Sequence, residues 1–321
     1  MLALRLSFSR AAMISAFVGS LMLGMATVLL RHRARGMQIA ILSPDGAPPP
    51  AAARDAVSIT SPDADMRPYD LVLIPMHRPL NARWSACASR AMLSGAQVRH
   101  VEAYLEEARG QTSLDHFQFE HISDRTITSY QTGKRLMDIG LTLIALPVLL
   151  PLIAASSAAV LLVMGRPIFF VQDRIGMAGR PFRMIKLRTM RVQPVAPGAA
   201  TGAGDPRVTR LGRILRRYRL DELPQFWNVL VGHMSVIGPR PEWSALYDTY
   251  VRDLPAYAHR HLVRPGITGW AQVRSGYASN LQETKLKLAC DLYYVKNLSL
   301  ALDLQILLRT VWTLITGKGV R

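Results

Sequence analysis

Cysteine is scarce in this chain: 321 residues contain only Cys87 and Cys290. Two cysteines make neither a disulfide framework nor a cysteine zinc site, and they fit a reducing compartment. The eight histidines are scattered, and no His-x-x-x-His pair beside an acid reads as a metal site. Charged residues are few, 19% against about 25% in an average soluble protein. Acids are the scarcer sign, with Asp+Glu 22 against Lys+Arg 39, so the net charge is 39 − 22 = +17. Apolar residues are abundant instead, at 50%, which excludes a disordered basic tail protein. The length allows one large domain or two ordinary ones. A chain both apolar and basic has two main classes of partner, nucleic acid or an anionic membrane surface.

The apolar excess is concentrated. Ala11 to Leu30 carries no charge and is long enough to span a bilayer as a helix. It is long for the core of a cleaved signal peptide, and Arg31-His32-Arg33-Ala34-Arg35 follows where a small-residue cleavage site would stand. Residues 1–36 are therefore expected to be a retained transmembrane segment with its C-terminal side in the cytoplasm. A second run, Ile139 to Met164, contains Pro147 and Pro151, and proline kinks a helix. Basic residues flank both of its ends: Lys134 and Arg135 before, Arg166 after. The readings open at this point are a helix that breaks at Pro147 and returns to the same face, an ordinary kinked span, or a buried soluble helix. A third stretch, Leu298 to Ile315, carries Asp303 and Arg309 and reads as an amphipathic or buried helix.

Between the first two runs lies a small α/β pattern. Gln38 to Leu42 and Asp70 to Pro75 are strand candidates, Ala82 to Ser94 a helix, and Gly95 to Arg99 the start of a third strand. Glu102 to Gly110 should be another helix. Residues 37–120 thus read as a reduced Rossmann-like α/β domain, with a linker over 121–131. No G-x-G-x-x-G follows its first strand, so no dinucleotide binding is expected there and a structural or regulatory role is favoured.

From Arg166 onward basic residues crowd together, and Arg210, Arg213 and Arg217 share a helical face. Behind them stand Asp221 and Glu222, an adjacent acidic pair. Arginine favours bidentate contact with phosphate. A carboxylate set among cations is expected to have a lowered pKa and to stay ionised. Such carboxylates suit Mg²⁺ ligation or nucleophilic attack on phosphorus; a salt-bridge cluster at a helix end is the alternative.

The wider context adds KRLMDI (Lys134 to Ile139), FFVQDRIGMAGRPFRMIKLRTM (Phe169 to Met190), RLDELPQFWNVL (Arg219 to Leu230), GPRPEW (Gly238 to Trp243), RPGITGWAQV (Arg264 to Val273) and DLYYVKNLSLALDL (Asp291 to Leu304). In these segments residues 132–321 resemble the bacterial sugar transferase family, monotopic polyprenyl-phosphate hexose-1-phosphate transferases, in its exopolysaccharide-type branch. The resemblance implies transfer of a hexose 1-phosphate from a UDP-sugar, glucose or galactose first, to undecaprenyl phosphate with release of UMP. By the same match Asp221 would be the nucleophile that carries a covalent phospho-sugar, and Glu222 would hold Mg²⁺. Lys186 and Arg188 would contact phosphate, Arg216 the leaving diphosphate, and Arg240, between two prolines, would be a preset phosphate contact. Arg264 and Gln272 would shape the nucleotide site, and Asp291 would act in positioning. Trp227, Trp270, Tyr293 and Tyr294 read as packing or interface residues.

The resemblance also favours the re-entrant reading for a helix at about 136–164, although Leu146-Pro147 stands where the family has Ser-Pro. His233 and Arg274-Ser275-Gly276 depart from the family pattern as well, away from the acidic pair. The fold class expected is an α+β membrane-associated catalytic domain with a re-entrant membrane helix, preceded by one transmembrane helix and the reduced α/β domain. The expected location is the bacterial inner membrane, with the catalytic domain facing the cytoplasm and no nucleic acid as partner. The sugar and the oligomeric state stay open; a homodimer is compatible with the sequence. A non-catalytic scaffold, or a basic nucleic-acid-binding membrane protein, would have no need of Asp221-Glu222.

Overall fold

The computed structural model describes residues 37–50, 53–75, 79–114, 117, 124–191, 205–274 and 281–316. The first apolar run, Ala11 to Leu30, and the closing Gly317 to Arg321 lie outside them. The chain divides into two compact units, with the boundary at Arg109/Gly110.

The first unit is a parallel sheet of β1 (Ile39–Leu42), β2 (Val57–Ile59), β3 (Leu71–Ile74) and β4 (Gln97–His100), in the order β2-β1-β3-β4. Two helices accompany it, α1 (Ala82–Leu93) and α2 (Val101–Arg109). The inner strands β1 and β3 are continuous apolar runs, as a sheet covered on both faces requires. Ala40, Leu42 and Val72 pack with Trp84, Cys87 and Ala91 of α1. Ile41, Leu71 and Leu73 pack with Val101 of α2. Asn81 starts α1, its Oδ1 accepting the backbone N–H of Trp84 at 3.1 Å. The strands and helices expected from the sequence are present, with one addition: β2, the tripeptide VSI, is too short to show a period.

The first helix of the second unit is α3 (Asp124–Met164), of 41 residues, which includes both Pro147 and Pro151. Residues 124–131, expected as linker, are its first turns. Its most apolar stretch has a mean hydropathy of 2.3 and is only 17% buried within the protein. Leu143, Ile144, Val148 and Leu150 are exposed. Exposed apolar surface on this scale marks contact with something other than water. Beyond α3, β5 (Phe169–Ile175) and β6 (Pro181–Leu187) form an antiparallel hairpin in register Phe169↔Leu187 to Ile175↔Pro181. The short β8 (Glu242–Trp243) pairs with β5 on its other side. A separate parallel pair joins β7 (Ser235–Ile237) to β9 (Gly266–Thr268). The helices are α4 (Arg210–Arg217), α5 (Gln225–Leu230), α6 (Ser244–Asp253), α7 (Trp270–Arg274), α8 (Leu281–Lys296) and α9 (Leu300–Thr316).

One core unites these elements: Phe182, Met184, Val229, Met234, Trp270, Tyr294, Leu302 and Ile306 all belong to it. The third apolar stretch of the sequence is α9. It buries Leu302, Asp303 and Ile306 while exposing Leu304, Leu308 and Trp312. Asp303 is the polar centre of this core. Its carboxylate accepts from Lys134 Nζ at 2.5 Å, Tyr130 Oη at 2.8 Å and Tyr294 Oη at 2.8 Å. The cluster fixes the N-terminal part of α3 to α8 and α9. A buried ion pair broken on one side leaves an uncompensated charge. Lys134→Met should therefore destabilise the protein by about 3 kcal/mol, read as a lower unfolding temperature in detergent. An unchanged temperature would contradict the pairing.

Candidate active site

The acidic pair lies on a 3-10 turn, Leu220–Glu222, entered through Arg219 in the left-handed region at φ 54°. Helix α4 leads into the turn. Thr209 caps it, its Oγ1 accepting the N–H of Gly212 at 2.9 Å. A Cβ on Gly212 would lie 2.0 Å from the Thr189 carbonyl oxygen, so only glycine lets α4 press against the end of the hairpin. That contact brings Arg216 Nε to Thr189 Oγ1 at 2.9 Å.

Asp221 and Glu222 are both buried, at 8% and 7% exposure, but they have different surroundings. Glu222 collects the cations. Its Oε1 accepts from Arg240 Nη2 at 2.6 Å and lies 3.7 Å from Lys186 Nζ, and its Oε2 is 3.6 Å from Arg219 Nη1. Burial opposes its charge, but Arg240 and Lys186 outweigh burial and hold its carboxyl down at about 2. Asp221 makes no ion pair among the described residues. Burial, then the Glu222 charge, raise its pKa above the usual value, against weaker opposition from Lys186, Arg216 and Arg240. The expectation that both carboxylates have lowered pKa values thus holds for Glu222 and fails for Asp221, because desolvation outweighs the surrounding cations there. Lys186 is itself pushed down to about 8 by burial and by the neighbouring Arg240. Arg174, whose Nη1 donates to the Pro241 carbonyl at 3.2 Å, is lowered to about 10 by burial and then by Arg240. A cluster of cations that repel one another is a site prepared for an anion.

The segment bearing Arg240 is held in place by backbone contact between two motifs. A Cβ on Gly238 would meet the Arg264 carbonyl oxygen at 2.4 Å, and one on Gly266 would meet the Gly238 nitrogen at 2.1 Å. The glycines of GPRPEW and RPGITGWAQV therefore allow β7 and β9 to approach. Next to them stands a buried network in which Asp291 is joined by Arg260 and Tyr257, neither of which has a signal in the sequence. Arg260 Nη2 donates to the Arg240 carbonyl at 2.7 Å and pairs with Asp291 Oδ2 at 2.7 Å. Tyr257 Oη donates to Glu242 Oε2 at 2.6 Å. A lone arginine between two histidines, His259-Arg260-His261, gives no periodic or motif signal of such a role.

The expected site residues thus divide. Asp221, Glu222, Lys186 and Arg240 come together, and Arg216 is close enough to act on the Asp221 charge. Asp291 reaches this group through Arg260. Three other residues make contacts elsewhere. Arg188 donates to the carbonyls of Met164, Gly165 and Arg166. Its guanidinium satisfies the free carbonyls at the end of α3 and is not aimed at the acidic pair. Arg264 Nε donates to the Gly232 carbonyl at 3.2 Å, and the arginine lines a small cavity with Gln131, Lys134 and Asp138. Gln272 Nε2 donates to the Ile267 carbonyl at 3.2 Å, within its own loop. None of these contacts places Arg264 or Gln272 against the carboxylates. Trp270 and Tyr294 are buried as packing residues, and Trp227 is exposed; Trp270 Nε1 donates to the Gly110 carbonyl at 2.7 Å and its ring stacks on Tyr293.

Among the described residues no group of three or more His, Cys, Asp and Glu side chains could enclose a metal. Mg²⁺ does not require one, since it is commonly held by one or two carboxylates with water and substrate phosphate completing the shell. Glu222 Oε2 is buried without a hydrogen-bond partner, so the donor set fits that mode.

Glu242 offers a test of the electrostatics. Burial raises its pKa, but Arg260 and Lys287 outweigh burial and hold it at about 2, below an ordinary 4.5. A depressed carboxyl contributes stability above its unfolded value and loses it as pH falls through the folded one. The protein should therefore lose up to about 3 kcal/mol from this group between pH 4.5 and 2. Glu242→Gln should flatten the acid side of the unfolding-temperature profile, and an unaltered slope would contradict the pairing.

Comparison with known proteins agrees with this geometry. A family model described as bacterial sugar transferase matches residues 129–317. The chain is 37% identical over 324 residues to the UDP-N-acetylgalactosamine-undecaprenyl-phosphate N-acetylgalactosaminephosphotransferase of Aeromonas hydrophila, covering 99% of this chain and 76% of that protein. It is 42% identical over 186 residues to the UDP-glucose:undecaprenyl-phosphate glucose-1-phosphate transferase of Caulobacter vibrioides, covering 57% of this chain and 70% of the relative. It is 41% identical over 197 residues to the exopolysaccharide production protein PSS of Rhizobium leguminosarum bv. phaseoli, covering 58% and 97%. The model match alone spans more than half of the chain, and it contains the acidic turn, the hairpin that carries Lys186 and the network behind Arg240: this protein belongs to the bacterial sugar transferase family.

Proposed function

We propose that this protein transfers a sugar 1-phosphate from a UDP-sugar to undecaprenyl phosphate, with Asp221 as nucleophile. The observation that carries the reading is the division of the acidic pair. Glu222 is neutralised by Arg240, Lys186 and Arg219, while Asp221 is left unpaired among the described residues and more basic than usual. A more basic, partly desolvated carboxylate is the stronger nucleophile. Asp221 attacks the sugar-bearing phosphorus of the donor, forming an Asp221–phosphorus bond as the bond to the UMP oxygen breaks. A phosphate oxygen of undecaprenyl phosphate then attacks the same phosphorus, releases Asp221 and yields the diphosphate-linked sugar. Lys186, Arg216 and Arg240 stabilise the charge of the phosphoryl groups in both steps. Glu222, whose Oε2 accepts no hydrogen bond and has only Arg219 at 3.6 Å, is the residue that would hold Mg²⁺, whose charge would offset that of the diphosphate.

The membrane reading has its own support. Near the start of α3, Arg135 donates to the carbonyls of Val229 and Leu230. Near its end, Val160 packs on Leu187 and Leu215. A straight helix would separate Arg135 from Val160 by roughly 38 Å. The elements they grip are neighbours, since Asn228 of α5 bonds Ile185 and Arg183 of β6. A bend at Pro147 and Pro151 that returns the chain to one face accounts for this. The helix would then dip into the cytoplasmic side of the inner membrane and place the acidic turn at its surface. The parallel sheet of residues 37–109 is assigned a structural or regulatory role, and the product is assigned to exopolysaccharide, capsule or O-antigen assembly.

The donor is the open variable. The relative that aligns with 99% of this chain acts, by its name, on UDP-N-acetylgalactosamine, and the Caulobacter relative on UDP-glucose. Purified protein with undecaprenyl phosphate and Mg²⁺ should release UMP from one of UDP-N-acetylgalactosamine, UDP-glucose and UDP-galactose. No UMP from any of them would defeat the assignment for these donors.

A further inference from the structure

We infer that Arg260 is a positioning residue that acts through Arg240, holding that segment so that the Arg240 guanidinium meets Glu222. The inference rests on the role given to Glu222 above. Arg260 belongs to the 3-10 segment Pro255–Leu262, and its side chain is only 1% exposed. Burying a guanidinium is costly unless it is paired and hydrogen-bonded, so its partners matter. Nη2 bonds the Arg240 carbonyl at 2.7 Å and pairs with Asp291 at 2.7 Å. Nη1 donates to Tyr257 Oη at 2.5 Å and lies 3.5 Å from Glu242 Oε2. Tyr257 Oη donates its own hydrogen bond to the same Glu242 oxygen at 2.6 Å. One side chain thus holds the residue at Arg240 and the residue at Glu242, across Pro241. From the hairpin, Arg174 Nη1 donates to the Pro241 carbonyl at 3.2 Å. Every residue of Arg240-Pro241-Glu242 is therefore tied to the buried Arg260 or the half-buried Arg174.

The object of this scaffold is one short contact, Arg240 Nη2 to Glu222 Oε1 at 2.6 Å. Asp291 and Glu242 supply the counter-charge that lets Arg260 stay buried, and Tyr257 fixes which way its fork points. A lysine could pair with one of these carboxylates but could not bond a carbonyl and a phenol at the same time in a planar fork. Displacing a charged contact by about 1 Å can cost roughly 10²-fold in rate.

Two readouts test this, one of them independent of activity. The first is the melting temperature of detergent-solubilised full-length protein carrying Arg240→Gln, Glu222→Gln, or both, each with and without Arg260→Gln. With Arg260 present, the losses from the two single changes should be strongly non-additive, because the partners share one contact. With Arg260→Gln, that non-additivity should disappear. If it persists unchanged, Arg260 does not act through Arg240 and the inference is overturned. The second readout is UMP release. Arg260→Gln should lower kcat roughly 10²-fold, yet add less than about threefold to the loss caused by Arg240→Gln. Losses that multiply would also overturn it. Should Arg260→Gln not accumulate as folded protein, the near-isosteric Tyr257→Phe and Asp291→Asn take its place with the same outcomes. A wild type that releases no UMP would count against the transferase reading, and the melting cycle would still decide the role of Arg260.

Discussion

Replacing Asp221 with asparagine should lower UMP release by roughly three orders of magnitude or more and leave the protein at least as stable as wild type. The two parts of that expectation have one cause. Asp221 is buried beside another carboxylate, so its charge is disfavoured in the folded state. Asparagine keeps the shape and removes the charge, so the folded protein gains by the change. What disappears is the only group at this turn placed to form a bond to phosphorus, since Glu222 is occupied by Arg240. Donor affinity should change little, because the cations that would bind the diphosphate are untouched. Thermal unfolding and steady-state UMP release on one preparation check both parts. A variant that loses its activity by unfolding would contradict this account of the site.

Glu222→Gln should behave differently and lose both properties. The carboxylate neutralises Arg240, Lys186 and Arg219. An amide leaves half-buried cations without a counter-charge, which costs about 3 kcal/mol and should lower the unfolding temperature by roughly 5–10 °C. Activity should fall by about 10²- to 10³-fold, through the displaced Arg240 and the loss of the carboxylate proposed to hold Mg²⁺. The contrast between two adjacent residues is the informative feature. A cluster that served only as a salt bridge at a helix end would show losses of stability at both positions, without the selective loss of activity at Asp221.

Much of this was legible in the sequence, and the remainder failed for physical reasons. The apolar run with two prolines, the strands of the first unit and the adjacent acids are local features, and spacing reports them well. Burial is not local. The sequence sets Asp221 and Glu222 side by side among arginines, but it does not say that the nearest cations reach only one of them. Arginines proved the hardest to read. Arg188 looks like a phosphate ligand and Arg264 like part of a nucleotide site, yet one bonds the carbonyls at the end of α3 and the other the Gly232 carbonyl. A guanidinium that bonds carbonyls and one that awaits phosphate have the same letter. Arg260 and Asp303 were missed for the opposite reason: each gains its role from partners far away in the chain, such as Arg260 with Asp291 and Asp303 with Lys134. The glycines of the two late motifs carry only resemblance in the sequence, and the structure supplies their cause in the close approach of the paired strands β7 and β9.

The most direct test of the mechanism is a single-turnover experiment without the lipid acceptor. Purified protein is mixed with Mg²⁺ and the UDP-sugar that supports turnover, and both UMP and the intact protein mass are followed. The expected result is UMP release that stops at one equivalent or less per protein, with a matching sugar-phosphate adduct on the peptide containing Asp221, chased to product when undecaprenyl phosphate is added. Asp221→Asn should show neither. UMP release that depends wholly on undecaprenyl phosphate, with no adduct at any time, would contradict the covalent role of Asp221.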